Sequence, residues 1–549
     1  MMESLSEETW DAVICGTGLS QSLLALALSR SNKRIIHLDA NDFYGEHEAA
    51  LSLQEADAWV GTHAPRSIAQ QLDQPYTPKN NSDEPVAREI SAANIDAKEL
   101  PSVDGDKFAT SATGSKTASD VFRNAHVWKH SNAEALGLSF PRAYSLALAP
   151  QIIHTRSELL SRLVSSKAYR QVEFLAVGSF FVYSTTDTPS GAILTRIPSS
   201  REDVFSAQSI PARSKRTLMK FLKFVIDYDS DEQKPIWQEK ANKPLSEYLV
   251  DEFKLNDSLR DCVLALTLTL DGKVTVKDGL STIHRHLSSI GLFGPGFCAV
   301  YPKWGGISEI AQIGCRAGAV GGGIYMLNTR VSRNENSNGR EISLQLSNEV
   351  SIRTTTLISS QQTCLKTSQT IARLVAVINS PLQSLFEILA EGAPTPAVTV
   401  VAFPSGSLSN SSPLGLDVPV YAFVHSSDTG ECPSGQSVVY LTMKAGTHSP
   451  DILDMALTAL LQAVTTTADI LYKLYYEQAT SARTSVVTSQ GSATVFEFPS
   501  PSLGLAFDDK SLDAVKEAWK IVVQDEVLDD TFMEFEDREG VDDDDNGYD

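Results

Sequence analysis

Residues 11–44, DAVICGTGLSQSLLALALSRSNKRIIHLDANDFY, constrain the fold more than any other stretch of this chain. Asp11 to Cys15 reads as a short apolar strand, and Gly16-Thr17-Gly18 follows at once. Leu19, Leu23, Leu24, Ala27 and Leu28 then recur at helical spacing. Arg34 to Leu38 is a second strand, ending in Asp39. Strand, glycine turn, helix, strand and terminal acid make the first unit of a dinucleotide-binding α/β fold.

One position departs from the G-x-G-x-x-G fingerprint. Gln21 stands where the third glycine lets the helix lie close to the strand, and a glutamine side chain needs room there. Asp39, 23 residues after Gly16, is near the spacing of the acid that bonds a ribose. Late in the chain Phe507-Asp508-Asp509 precedes the last helix, where flavoenzymes of this architecture carry a Gly-Asp pair. The expectation is a vestigial dinucleotide turn of Gly16, Gly18 and Asp39, with no cofactor. From another functional class, an FAD-dependent oxidoreductase is the competing reading, and it requires a yellow protein.

Composition narrows the field. A chain of 549 residues suffices for two or three domains with a large core. The net charge of −22 argues against a nucleic-acid partner. Thirteen acids and one base lie between Asp525 and Asp549, so that end supplies −12 and reads as an acidic, disordered tail. The six cysteines are scattered without a C-x-x-C pair, the pattern of reduced thiols in a cytosolic protein. Met1 to Trp10 lacks the basic opening of a signal peptide, and the final Asn-Gly-Tyr-Asp is no prenylation box. No uninterrupted apolar run approaches the ~18 residues of a membrane span.

Pattern divides the chain into residues 1–199, the first part of an α/β domain; 200–295, a helical domain; 296–524, the second part of the α/β domain; and the tail. Residues 61–124, rich in Pro, Ser, Asn and Asp, read as a low-complexity surface insertion, partly disordered. Helices are expected at Lys215–Ile226, Leu245–Phe253, Ser258–Leu270 and Leu280–Ile290. Strands are expected at Val398–Phe403, Val418–Phe423 and Ser437–Met443, with one long helix at Asp451–Tyr476.

Catalytic signals are sparse. There is no H-E-x-x-H, G-x-S-x-G or Walker loop. His284 and His286 are two apart on a helix, too divergent to share a metal, and read as surface residues. The informative late stretch is Tyr301–Leu327, YPKWGGISEIAQIGCRAGAVGGGIYML. A helix from about Ser308 to Arg316 places Glu309, Gln312 and Arg316 on one face. A carboxylate, an amide and a guanidinium on one stripe suit a polar partner, though spacing alone favours an ordinary exposed helix face.

GTGLSQS (Gly16–Ser22) and HLDANDFYG (His37–Gly45) resemble the first signature block of the superfamily of Rab escort proteins and Rab GDP-dissociation inhibitors. That superfamily has a flavoprotein-like fold and carries no flavin. Tyr169–Phe174 stands at the place of its second signature, and Tyr301–Leu327 is similar to its third. The resemblance implies an FAD/NAD(P)-binding-like sheet domain interrupted by an all-helical insert, and a non-catalytic role. It implies that Tyr44, Glu309, Gln312 and Arg316 form a platform for the switch regions of GDP-bound Rab GTPases. The further partners it implies are the Rab geranylgeranyltransferase α/β heterodimer and a geranylgeranyl lipid sheltered by the helical domain. A cytoplasmic location with transient membrane association follows from the same resemblance. GTGLSQS in place of a Thr-Glu step, the chain length and the inserted loop favour the escort branch over the recycling inhibitor. Trp304 and an extra residue in Gly305–Ser308 depart from the commoner family loop, which predicts a shifted approach of the following helix.

Overall fold

The computed structural model describes residues 5, 9–65, 121–185, 192–198, 203–204, 210–337, 339–360, 369–388, 390–408, 418–465, 467–480, 484–524 and 531–536. Most of the expected insertion, 66–120, and most of the acidic tail lie outside them.

The N-terminal elements are β1 (Thr9–Cys15), α1 (Leu19–Leu28), β2 (Ile35–Leu38), α2 (Leu53–His63), β3 (Phe122–Lys129), α3 (Glu158–Ser165) and β4 (Phe174–Thr185). A helical stretch follows, with α4 (Ala212–Ile226), α5 (Leu245–Phe253), α6 (Asp257–Ala265) and α7 (Val276–Ser289). The chain then forms β5 (Ala299–Pro302), α8 (Ile307–Val320), β6 (Ile324–Met326), β7 (Val331–Ser337), β8 (Glu341–Leu346) and β9 (Ser351–Ser360). The last elements are β10 (Gln369–Ile378), β11 (Val398–Phe403), β12 (Val420–Ser426), β13 (Ser437–Lys444), α9 (Ser449–Val464), β14 (Ile470–Thr480), β15 (Val486–Gln490), β16 (Ala493–Phe498) and α10 (Lys510–Val523).

The first sheet runs β6-β2-β1-β9-β8-β7, with β16 also pairing β9. Its β6, β2, β1 and β9 are parallel; Val13 faces Ile36 on one side and Leu357 on the other. Third, second, first, fourth is the strand order of a dinucleotide-binding half. The third strand, β6, comes from far along the chain, and α8 stands just before it as the crossover helix. The whole stretch from the β2 loop to β5 is therefore inserted between the second strand and its crossover.

The second sheet runs β3-β14-β10-β13-β12-β11-β4-β5, largely antiparallel. Helices α4–α7 cover it. Leu218, Phe221, Tyr248, Leu249, Val263 and Ile283 of the insert share one apolar core with Val177, Phe180, Val400 and Phe423 of the sheet. Burial on two fronts explains why these helices are amphipathic. Among the described residues no helix is long and apolar enough to cross a membrane.

Two expectations fail, each for a physical reason. The long helix at Asp451–Tyr476 is α9 followed by β14. The β-branched Thr465 ends α9, and β14, paired on both sides, carries Lys473, Glu477 and Thr480 between apolar residues at spacings of four and three, a pattern that periodicity cannot tell from helix. The tail is not acidic solvent-facing chain throughout. Phe532 and Met533 are buried, Phe532 packs on Trp519 at 5.3 Å, and the Phe535 amide bonds the Ser165 carbonyl at 3.0 Å. Three apolar residues inside an acidic run were enough to dock it.

Candidate functional site

The glycine turn between β1 and α1 is braced from below. Asp39 is buried, and its carboxylate accepts the Thr17 amide at 2.9 Å, the Thr17 hydroxyl at 2.5 Å, and the Asn41 amide and side chain at 2.8 and 3.0 Å. Four donors occupy it, so Asp39 ties β2 to the turn and does not reach outward as a ribose acid. The Thr17 hydroxyl also accepts the Gly45 amide at 2.9 Å, which fastens the loop after β2 to the same turn. His37 donates to the Gly16 carbonyl at 2.5 Å, and burial lowers its pKa to about 4, so the ring is neutral at pH 7.

The turn is filled from above. Gly16 has φ 95, and a Cβ built on it would lie 2.5 Å from Cδ of Glu46. The Glu46 carboxylate also lies over Gly18, where a Cβ would stand 3.1 Å from its Oε2, and Glu48 accepts the Leu19 amide at 3.4 Å. Gln21 has the room it needs: it is buried and bonds Ser360, with its amide 3.4 Å from Glu46. Burial, then the carboxylates of Asp39 and Glu48, holds Glu46 well above the usual carboxylate range; burial pushes Glu48 up to about 7. A dinucleotide would bring its phosphates to these amides, where the chain's own acids already lie. At the other expected contact, Asp509 accepts from Ser157 Oγ at 2.5 Å and the Glu158 amide at 3.1 Å, capping α3. The residues present do not fit a bound flavin or nicotinamide.

Helix α8 lies directly on α1. Gly314 faces Ser22 so closely that a Cβ would stand 2.8 Å from the Ser22 carbonyl carbon, and Ser22 Oγ is 3.4 Å from Cys315 Sγ. Ile307, Ile310 and Ile313 turn into the core beneath. The opposite face carries Glu309, Gln312 and Arg316. Arg316 donates to Glu309 at 2.6 Å and to the Gln312 carbonyl at 3.5 Å; its side chain is 54% exposed against 16% for Glu309. Glu309 in the first turn also complements the positive end of the helix. Tyr44 is half-buried, and the pKa of its hydroxyl is raised by burial, then by Cys315 of this helix and Asp39. Three of the four expected platform residues thus share one stripe, with Tyr44 beside it.

The departure noted at Trp304 has a structural counterpart. Trp304 adopts φ 74, its amide bonds the Thr429 carbonyl at 2.8 Å, and its ring is largely exposed just before α8. Sequence reasoning missed Glu46; the available signal was an acid directly after Gly45, in a loop that must return to the turn.

The two histidines of α7 correct another expectation. His286 is buried, 3.6 Å from Cys298 Sγ, and His284 is half-buried, bonding the Val225 carbonyl at 3.1 Å. Both face packed elements because α7 is flanked by α4 and by the sheet. Burial lowers the His286 pKa to about 4 and raises Cys298 to about 12, leaving an inert pair. Among the described residues no group of His, Cys, Asp and Glu is arranged to hold a metal.

Fold and site define a class: an α/β chain of FAD/NAD(P)-binding type whose nucleotide turn is filled by its own side chains and whose crossover helix presents a polar stripe. A family model described as GDP dissociation inhibitor matches residues 6–68 and 91–498. The chain belongs to the GDP dissociation inhibitor family. It is 27% identical over 462 residues to Rab proteins geranylgeranyltransferase component A of Saccharomyces cerevisiae, covering 83% of this chain and 65% of that protein. The protein of the same name in Candida albicans is 26% identical, covering 78% of this chain and 58% of its own length. The chain therefore spans about three fifths of these relatives. The crystal structure of a Rab GDI from Plasmodium falciparum superposes with a TM-score of 0.61 at 16% identity, over 94% of this chain and 98% of that one, and shares its fold.

Proposed function

We propose that this chain is an escort for GDP-bound Rab GTPases and the non-catalytic accessory component of Rab geranylgeranyltransferase. One observation carries the reading: the Glu309–Gln312–Arg316 stripe, beside Tyr44, on a helix locked to the nucleotide-type core through Gly314. The names of the Saccharomyces and Candida relatives support it.

In this reading the stripe grips the switch loops of the Rab. A preference for GDP arises because those loops are pliable with GDP and held by the γ-phosphate with GTP. The α/β domain presents the Rab to the transferase in the cytoplasm, and the helical insert then shelters the geranylgeranyl group until membrane delivery. Each buried methylene contributes about 0.8 kcal/mol, so part of a twenty-carbon chain gives firm retention. The cavity between the insert and the sheet, lined by Phe180, Ile197, Leu266 and Ile290, measures about 20 Å³, room for one water. Lipid uptake into this cavity requires α4–α7 to part.

The test is reconstituted prenylation of an unmodified Rab by the purified transferase, with and without this chain. Stimulation supports the escort reading. Extraction of prenylated Rab from membranes without stimulation would instead assign the recycling-inhibitor role.

A further inference from the structure

The loop that carries Tyr44 is strained where it touches the glycine turn. Gly45 has φ 105 and Glu46, a non-glycine residue, has φ 43, two successive left-handed residues. That backbone is held because it drives the Glu46 side chain onto Gly16 and Gly18. Helix α1 begins at Gly18 with no side-chain cap and no acid in its own first turn. The space over its first amides, where a phosphate would be cradled, is filled from the far loop: the Glu46 carboxylate lies against Gly16 and Gly18, and Glu48 accepts the Leu19 amide. Gln21 and Ser360 close over the Glu46 carboxylate from the third side.

We propose that the Glu46 carboxylate is a built-in stand-in for the diphosphate of a dinucleotide, and that this internal ligand pins loop 39–49. The turn keeps its ability to hold an acidic group, and that group is covalently part of the loop. Where other chains of this architecture are rigidified by a bound cofactor, this one is rigidified by its own side chain. The consequence for Tyr44 as a Rab contact rests on the proposed function; the pinning itself does not.

Glu46→Ala empties the cradle while leaving the backbone beneath it, and the probe is inorganic pyrophosphate added to the full chain. Expected is a lower Tm for the variant, a saturable rise of about 2 °C or more on adding pyrophosphate, and no rise for the parent protein. Hydrogen exchange of amides 40–45 should accelerate by roughly tenfold in the variant and slow again with pyrophosphate. Glu46→Gln, which keeps the filling side chain, should exchange like the parent and ignore pyrophosphate. A pyrophosphate response in the parent or in Glu46→Gln, or none in Glu46→Ala, overturns the proposal, as does a loop whose exchange is unchanged in Glu46→Ala. These readouts use no Rab, so failure of the escort reading would leave them standing.

Discussion

The nucleotide-type core and the helical insert stabilise themselves in opposite ways. Around β1, α1, β2 and α8, contacts are short and polar, and backbone meets backbone at Gly314; the surface stripe of α8 is ready in the free chain. In the insert, Phe221, Phe224, Tyr248 and Phe253 pack ring on ring, Phe253 lying 5.1 Å from Phe221 and from Phe224. Ile226, Ile236 and Val250 remain exposed. Directional hydrogen bonds fix one geometry, whereas apolar packing tolerates rearrangement. In the proposed function, the first region serves as a preformed recognition face and the second as a deformable lipid shelter.

Substitutions can pull the two apart. Phe221→Ala, at a fully buried ring, should cost about 3–5 kcal/mol of unfolding free energy by denaturant titration. Affinity for unprenylated, GDP-loaded Rab should stay within about twofold. A large affinity loss would erase the distinction between the regions. Gly314→Leu should show the reverse balance. It forces α8 from α1 at a backbone contact, costing about 1–3 kcal/mol in stability, and Rab affinity should fall more than about tenfold because the whole stripe moves.

Arg316→Ala is the finer probe of the stripe. The side chain is half-exposed and, among the described residues, pairs along its own helix, so Tm should not change. Rab binding measured calorimetrically should weaken by about 1–3 kcal/mol, the loss expected for an interface arginine. Unchanged affinity would place the Rab surface elsewhere.

How much of this was legible follows the same division. The glycine turn, Asp39 and the α8 stripe are local patterns, and the helices expected at 245–253 and 215–226 announced themselves by periodicity. What escaped reading depends on contacts between distant segments. The acid after Gly45 is a weak local hint of Glu46 as a partner of Gly16, and nothing local marks Asp39 as an inward brace; both depend on loop 39–49 folding back on the turn. The burial of His286 follows from which side of α7 meets the sheet. β14 looked helical because a strand paired on both sides loses its alternation, and Phe532 and Met533 were masked by the acids around them.

The smallest effect separates burial from bonding inside the core itself. Burial raises the Glu48 carboxyl from its ordinary value to about 7, while its bond to the Leu19 amide opposes that rise. An acid whose folded pKa lies above its unfolded one binds more protons when folded, so stability falls as pH climbs from about 4.5 through about 7. Above that window Glu48 is charged in both states, and the folded state bears the desolvation cost. Glu48→Gln removes the charge and keeps an acceptor for Leu19. Its Tm should exceed that of the parent at pH 8 and converge with it near pH 4.5. Equal melting curves across that range would mean that the Leu19 amide and the end of α1 fully offset the burial of Glu48.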